Sequence, residues 1–211
     1  LSGPDRVEAL CRTAAVIPVL VIEDAATAAP LAEALVAGGL PVLEVTLRTP
    51  AALDAITAMA QVAGATVGAG TVLTARDMDR AAQAGARFAV SPGSTETLLS
   101  ASEAADMPLL PGAATASEAM RLLDRGYTVQ KFFPAEASGG AALLGALSGP
   151  LPQVRFCPTG GIGLDNAAEY LGLPNVLCVG GSWITPTHLV RRGEWTAIEA
   201  LARQAAQLPR A

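Results

Sequence analysis

Residues 41–72 read PVLEVTLRTPAALDAITAMAQVAGATVGAGTV, a stretch that holds one complete structural unit. Pro41 to Leu47 is a short apolar run with β-branched residues, a composition that suits a buried strand. Leu53, Ile56 and Met59 then recur at helical spacing. Gly64 breaks that pattern before Thr66 to Val72 opens a second strand-like run. Strand, helix and strand in this order, with so short a path, describe a parallel βαβ crossover.

The same unit repeats on both sides. Val16 to Ile22, Arg87 to Pro92, Pro108 to Ala113, Thr128 to Pro134, Val154 to Gly161 and Val176 to Ile184 bring the candidate strands to eight. Ala-rich segments with helical spacing separate them, such as Leu31, Leu35 and Val36, or Met120, Leu122 and Leu123. Gly38-Gly39, Gly85 and Gly126 stand where helices must end in a left-handed residue. Thr74, Ser94, Thr115 and Asp165 stand where helices must begin, and Thr115-Ala116-Ser117-Glu118 fits a capping box. Strand starts recur at roughly 23 residues, enough for a strand, two loops and a helix.

Eight such units close a (β/α)8 TIM barrel, and a further helix from about Pro4 to Ala14 would cap its lower end. The alternative is an open doubly wound sheet, which normally carries a nucleotide fingerprint at its first turn. Gly68-Ala69-Gly70 and Gly161-Ile162-Gly163 both lack the third glycine of that fingerprint. The expectation is an α/β chain whose residues 1–211 form a single (β/α)8 barrel domain with an N-terminal capping helix.

Composition excludes several functions. The 211 residues are 51% hydrophobic and 16% charged, so the chain can bury enough apolar surface to offset the entropy of ordering. The net charge is −5, with no run of Lys or Arg to displace counterions from a phosphate backbone, which argues against a nucleic-acid partner. Ala55 to Ala75, Ala137 to Val154 and Tyr170 to Val190 lack acidic and basic side chains, yet Gly, Pro and polar residues interrupt each of them. No membrane span is expected. Leu1 to Arg6 lacks a basic segment followed by an apolar one, so a cytoplasmic protein without a signal peptide is expected. Cys11, Cys157 and Cys178 lie in apolar segments and read as small buried hydrophobes. His188 is the lone histidine and reads as a helix-surface residue. No cluster at metal-ligand spacing, Gly-x-Ser-x-Gly elbow or Walker loop is present, and neither a metal nor a cofactor is expected.

In such a barrel the active site forms at the C-terminal ends of the strands. The polar residues there are Glu44, Thr46 and Arg48 on the second strand, Thr71 on the third and Ser91-Pro92 on the fourth. Lys131 follows on the sixth, Thr159-Gly160-Gly161 on the seventh and Gly180-Gly181-Ser182 on the eighth. Thirteen of the 14 basic residues are Arg, and Lys131 is the remaining one. Its neighbours Val129, Phe132 and Phe133 place it on a strand covered on both faces. Removing an amine from water disfavours its charged form and leaves a nucleophile for a carbonyl carbon; the alternative is a buried Lys–Glu ion pair with no chemistry.

Side chains alternate along a strand, so Glu44, Thr46 and Arg48 share one face. Glu44 has the chemistry of a general acid/base and Arg48 the fork that grips a carboxylate, unless the two merely neutralise each other or Lys131. Thr71 could donate to the same substrate carboxylate or cap the next turn. The glycine pairs, with Ser182, expose backbone N–H groups where such barrels hold phosphate, although tight turns also use glycine pairs. With no lysine nearby, amides and helix dipoles would do the holding.

The segments Val42 to Thr49, Val67 to Leu73, Ser91-Pro92-Gly93, Lys131 to Glu136, Phe156 to Ile162 and Gly180 to Trp183 together resemble one family. It is the 2-keto-3-deoxy-6-phosphogluconate (KDPG) and 4-hydroxy-2-oxoglutarate (KHG) aldolases, and the likeness runs from about Ile17 to Pro186. The resemblance implies a class I, Schiff-base lyase of the Entner-Doudoroff pathway, assembled as a homotrimer, with the imine on Lys131. It implies Glu44 as general acid/base, Arg48 and Thr71 on the pyruvate-derived carboxylate, and Pro92 and Thr159 at other substrate contacts. Gly160, Gly161, Gly180, Gly181 and Ser182 match the phosphate end. Ser94, where an apolar residue is usual, and Ser138, where Asn is usual, depart from the pattern. A KHG aldolase or an aldolase for the galactonate epimer would use the same groups. A non-catalytic sensor of phosphorylated sugar acids is the alternative from another class.

Overall fold

A computed structural model describes residues 3–211; Leu1 and Ser2, part of the stretch read for a leader segment, lie outside it. The strands are β1 (Val16–Leu20), β2 (Val42–Thr46), β3 (Thr66–Gly70), β4 (Ala89–Val90), β5 (Leu109–Leu110), β6 (Gly112–Ala113), β7 (Val129–Phe132), β8 (Arg155–Pro158) and β9 (Val179–Gly181). The helices are α1 (Gly3–Thr13), α2 (Ala28–Ala37), α3 (Ala52–Met59), α4 (Ala75–Gln83), α5 (Glu96–Ala105), α6 (Ala116–Asp124), α7 (Gly140–Leu147), α8 (Ala167–Leu171), α9 (Thr187–Arg192) and α10 (Trp195–Ala206). Every run read as a strand contains one, shortened at its ends. The run Pro108 to Ala113 contains two, because Pro111 has no N–H to continue the ladder, although its carbonyl still accepts from the Lys131 N–H at 2.8 Å.

All ladders are parallel, as alternating strands and helices require. Six strands pair in the order β5-β4-β3-β2-β1-β9 and three in the order β6-β7-β8. Isolated parallel bridges, Phe156 to Val176 and Thr159 to Gly180, tie β8 and its C-terminal end to the β9 region.

Local signals explain the starts of α4, α5 and α6. Thr74 and Thr115 each accept from the backbone N–H three residues on, and Asp77 and Glu118 complete reciprocal capping boxes. Two starts fall one residue later than read. Thr95 rather than Ser94 caps α5, because Thr95 has the extended backbone and its hydroxyl accepts from Leu98 N–H; Asn166 rather than Asp165 precedes α8.

The apolar side chains form two clusters. The larger one lies between sheet and helices and includes Leu20, Leu35, Leu43, Ile56 and Phe132. The smaller collects Ile17, Val42, Phe88, Val90, Leu110, Val129, Cys157 and Cys178, the side chains that the strands turn toward one another. Val7 and Cys11 of α1 enter this inner cluster, so α1 packs across one end of the strands, as read from the sequence. All three cysteines are buried, free and gathered there. Among the described residues no helix is long and apolar enough to cross a membrane.

Candidate active site

Lys131 is the third residue of β7 and Glu44 the third of β2. Two residues earlier on each strand, Val129 and Val42 lie in the inner cluster, so the period of two puts Lys131 and Glu44 in the next layer above it. There Lys131 Nζ donates to Glu44 Oε1 at 3.1 Å, with side chains only 6% and 4% exposed. The Phe133 ring lies 5.4 Å from the same nitrogen and adds a cation–π contact.

Glycines make the room. A methyl group on Gly70 would overlap Glu44 Oε1, and one on Gly180 would overlap Thr159 Oγ1. Gly112 stands in register beside Lys131, and a methyl there would overlap the carbonyl of Pro92. Small residues on β3, β6 and β9 thus leave space in the layer where charged heads from β2 and β7 meet.

Around this pair the other candidates take up varied positions. Thr159, just past β8, is buried with a hydroxyl that has no hydrogen-bond partner, a donor left for something else. Arg48 Nε donates to Thr71 Oγ1 at 3.1 Å, which brings those two side chains together as read. Thr71 has φ +59°, a left-handed conformation that costs a β-branched residue energy. The capping alternative for Thr71 is removed by Thr74, which caps α4 itself. Thr46 does not join the site: it is fully buried and its hydroxyl donates to Leu20 O at 3.0 Å, stitching β2 to β1. β2 ends at Thr46, so Arg48 lies exposed in the turn beyond and Glu44 is left to pair with Lys131. Pro92 is half-buried at the end of β4; Ser91 beside it is buried.

Gly160 and Gly161 have φ +102° and +78°, backbone that only glycine adopts without strain. Gly180 and Gly181 end β9, and a methyl on Gly181 would overlap the Trp183 ring. Ser182 is exposed and lines a cleft of about 510 Å³ that runs past Ile22, Asp24, Thr185 and Arg191. Neither Lys131 nor Glu44 lines that cleft.

No role was read for Phe133, Glu136, Asn166 or Tyr170; only the folded chain brings the Phe133 ring to Lys131, the Tyr170 hydroxyl to Glu136 and the Asn166 carboxamide to the Gly161–Gly163 turn. His188 is exposed on α9. Among the described residues no three His, Cys, Asp or Glu side chains are grouped to hold a metal. The geometry offers an amine beside a carboxylate away from water, a guanidinium joined to a threonine hydroxyl, and a glycine loop with left-handed backbone.

The profile of the KDPG and KHG aldolase family matches residues 7–201. A 2-dehydro-3-deoxy-phosphogluconate aldolase of Pseudoalteromonas atlantica is 55% identical over 191 residues, 90% of this chain and 89% of that protein. The crystal structure of a 2-keto-3-deoxy-6-phosphogluconate aldolase from Zymomonas mobilis superposes with a TM-score of 0.93 at 52% identity, covering 97% of this chain and 98% of that one. A Legionella pneumophila KDPG aldolase, captured with pyruvate as a covalent carbinolamine, gives 0.92 at 49% identity, covering 95% and 98%.

Proposed function

The chain belongs to the KDPG and KHG aldolase family and is an aldolase, a carbon–carbon lyase, and we propose that it cleaves 2-keto-3-deoxy-6-phosphogluconate to pyruvate and glyceraldehyde 3-phosphate through a Schiff base on Lys131. The observation that carries this reading is the contact of 3.1 Å between Lys131 Nζ and Glu44 Oε1 in a layer shielded from water. The carbinolamine seen with pyruvate in the Legionella relative supports the same chemistry.

The steps follow from the pair. Glu44 takes a proton from Lys131, and the free amine attacks the C2 ketone of the substrate. Glu44 returns the proton to the carbinolamine hydroxyl, water leaves, and an iminium remains. Glu44 then removes the C4 hydroxyl proton; the C3–C4 bond breaks, its electrons pass to the iminium, and glyceraldehyde 3-phosphate departs. Protonation of the enamine at C3 by Glu44 and addition of water release pyruvate and restore the amine. The iminium is the electron sink throughout.

In this reading Arg48 and Thr71 hold the keto-acid carboxylate, Pro92 and the partnerless Thr159 hydroxyl border the reacting carbons, and Gly160, Gly161, Gly180, Gly181 and Ser182 receive the phosphate. The two sheets and the bridges between β8 and β9 support one closed (β/α)8 barrel domain over the chain, with β5 and β6 as a single strand broken at Pro111 and α1 at its foot. A cytoplasmic homotrimer working in the Entner-Doudoroff pathway completes the proposal, as the family resemblance implies.

The test is turnover. Purified protein given KDPG, its galactonate epimer and KHG should release pyruvate fastest from KDPG. A chain that binds KDPG without releasing pyruvate would be a sensor; preference for the epimer or for KHG would move the substrate assignment within the family.

A further inference from the structure

The glycine loop after β8 is gripped from both sides by residues to which the reaction scheme gives no role. On one side stands Asn166, which precedes α8. Its Nδ2 donates to the Gly161 carbonyl at 3.1 Å and its Oδ1 accepts from the Gly163 N–H at 2.8 Å. One carboxamide thus fixes both ends of the turn from Gly161 to Gly163. On the other side stands Glu136, in the loop after β7. Its backbone N–H donates to the Gly160 carbonyl at 3.1 Å. Its side chain crosses Gly161 so closely that a Cβ there would come 2.6 Å from Glu136 Cγ. Its carboxylate accepts from the hydroxyl of Tyr170, a fully buried residue of the same helix α8.

We infer that Asn166 and the Glu136–Tyr170 pair are positioning residues that hold the Gly160–Gly161 amides for the substrate phosphate, and so set the preference for phosphorylated over unphosphorylated 4-hydroxy-2-keto acids. The inference rests on the function proposed above.

Two physical points support it. Asn is the side chain that can donate to Gly161 and accept from Gly163 at once; Asp keeps the second bond, loses the first and adds a negative charge near the bound anion. The Glu136 side chain lies against the loop, and the Tyr170 hydroxyl ties its head toward α8. Burial, followed by the Glu136 contact, pushes the Tyr170 hydroxyl well above its ordinary range, so it stays a donor wherever the enzyme is assayed. Without that donor the carboxylate is free to turn over the Gly161 amide and compete with phosphate. Lys131 and Glu44 belong to other elements and hold each other, so the clamp acts on one end of the substrate only.

The experiment measures Asn166→Asp, Asn166→Ala and Tyr170→Phe on KDPG and on KHG, which has no phosphate. Pyruvate-dependent borohydride labelling reports on the lysine in the same samples. The expected result is a KM for KDPG raised about tenfold in Asn166→Ala and Tyr170→Phe, and further in Asn166→Asp. The kcat/KM for KHG and the labelling should stay within about twofold. Inhibition by inorganic phosphate, competing with KDPG, should weaken in parallel. If a variant fails to fold, Asn166→Ser is scored in its place. Equal losses on both substrates, or an unmoved ratio, would overturn the inference while leaving the aldolase reading intact. A wild-type chain that neither cleaves KDPG nor takes the label would overturn both.

Discussion

Lys131 and Glu44 are expensive residues to bury, and each is tolerated because the other is there. Removing one partner of such a pair strands a charge away from water, at a cost of about 3–5 kcal/mol. Glu44→Ala should therefore lower the unfolding free energy by about that amount in denaturant titrations, and Glu44→Gln, which keeps the shape, should lose less. Both should reduce kcat by about 10²–10⁴, the span that general acid–base catalysis supplies. A catalytically neutral Glu44→Gln would reduce the pair to structure. The burial of Lys131 was legible because it is one lysine among thirteen arginines, set in an apolar run. Thr46 was misread because its hydroxyl bonds to Leu20 O, a partner 26 residues away that no local pattern reveals. The left-handed backbone of Thr71 was equally invisible, since nothing in Gly70-Thr71-Val72 demands it.

The helix starts show what short sequence windows encode well. At α6, Glu118 accepts from the backbone N–H groups of Ala114 and Thr115 while Thr115 accepts from Glu118 N–H. The Ala114 bond, against some desolvation and helped by Thr115, holds the Glu118 carboxyl below its ordinary 4.5. A carboxyl lowered in the folded state contributes stability above its unfolded value and loses it as pH falls through the folded one. Glu118→Gln should thus cost about 0.5–1 kcal/mol at pH 7, and the gap should close as acid takes the pH below the lowered carboxyl, as paired urea melts would show. A gap that persists in acid would mean the cap works by shape alone. Such boxes were legible because all their parts lie within four residues. The start of α5 was not, because Ser94 and Thr95 are both good caps and the folded chain gives the extended backbone and the Leu98 N–H to the second. The break at Pro111 was written in the sequence, yet its effect was hidden: pairing resumes on β7 through Gly112 and Ala113.

Across the molecule, the strands bring two layers together that are far apart in the chain. The lower is apolar, plugged by Val7 and Cys11 of α1; the upper holds the charged pair and is opened up by Gly70, Gly112 and Gly180. The period of repeating strands and helices predicted the parallel architecture. It could not say which glycines turn the chain and which make room, because that depends on what arrives from the opposite wall. The clamp of Asn166, Glu136 and Tyr170 around the glycine loop escaped for the same reason. Because Lys131 is the sole side-chain amine in the molecule, the intact mass of the protein treated with pyruvate and borohydride tests the account directly. One reduced pyruvyl group should be added, peptide mapping should place it on Lys131, and Lys131→Ala should take up none. No adduct in the wild-type chain, or an equal adduct in Lys131→Ala, would contradict it.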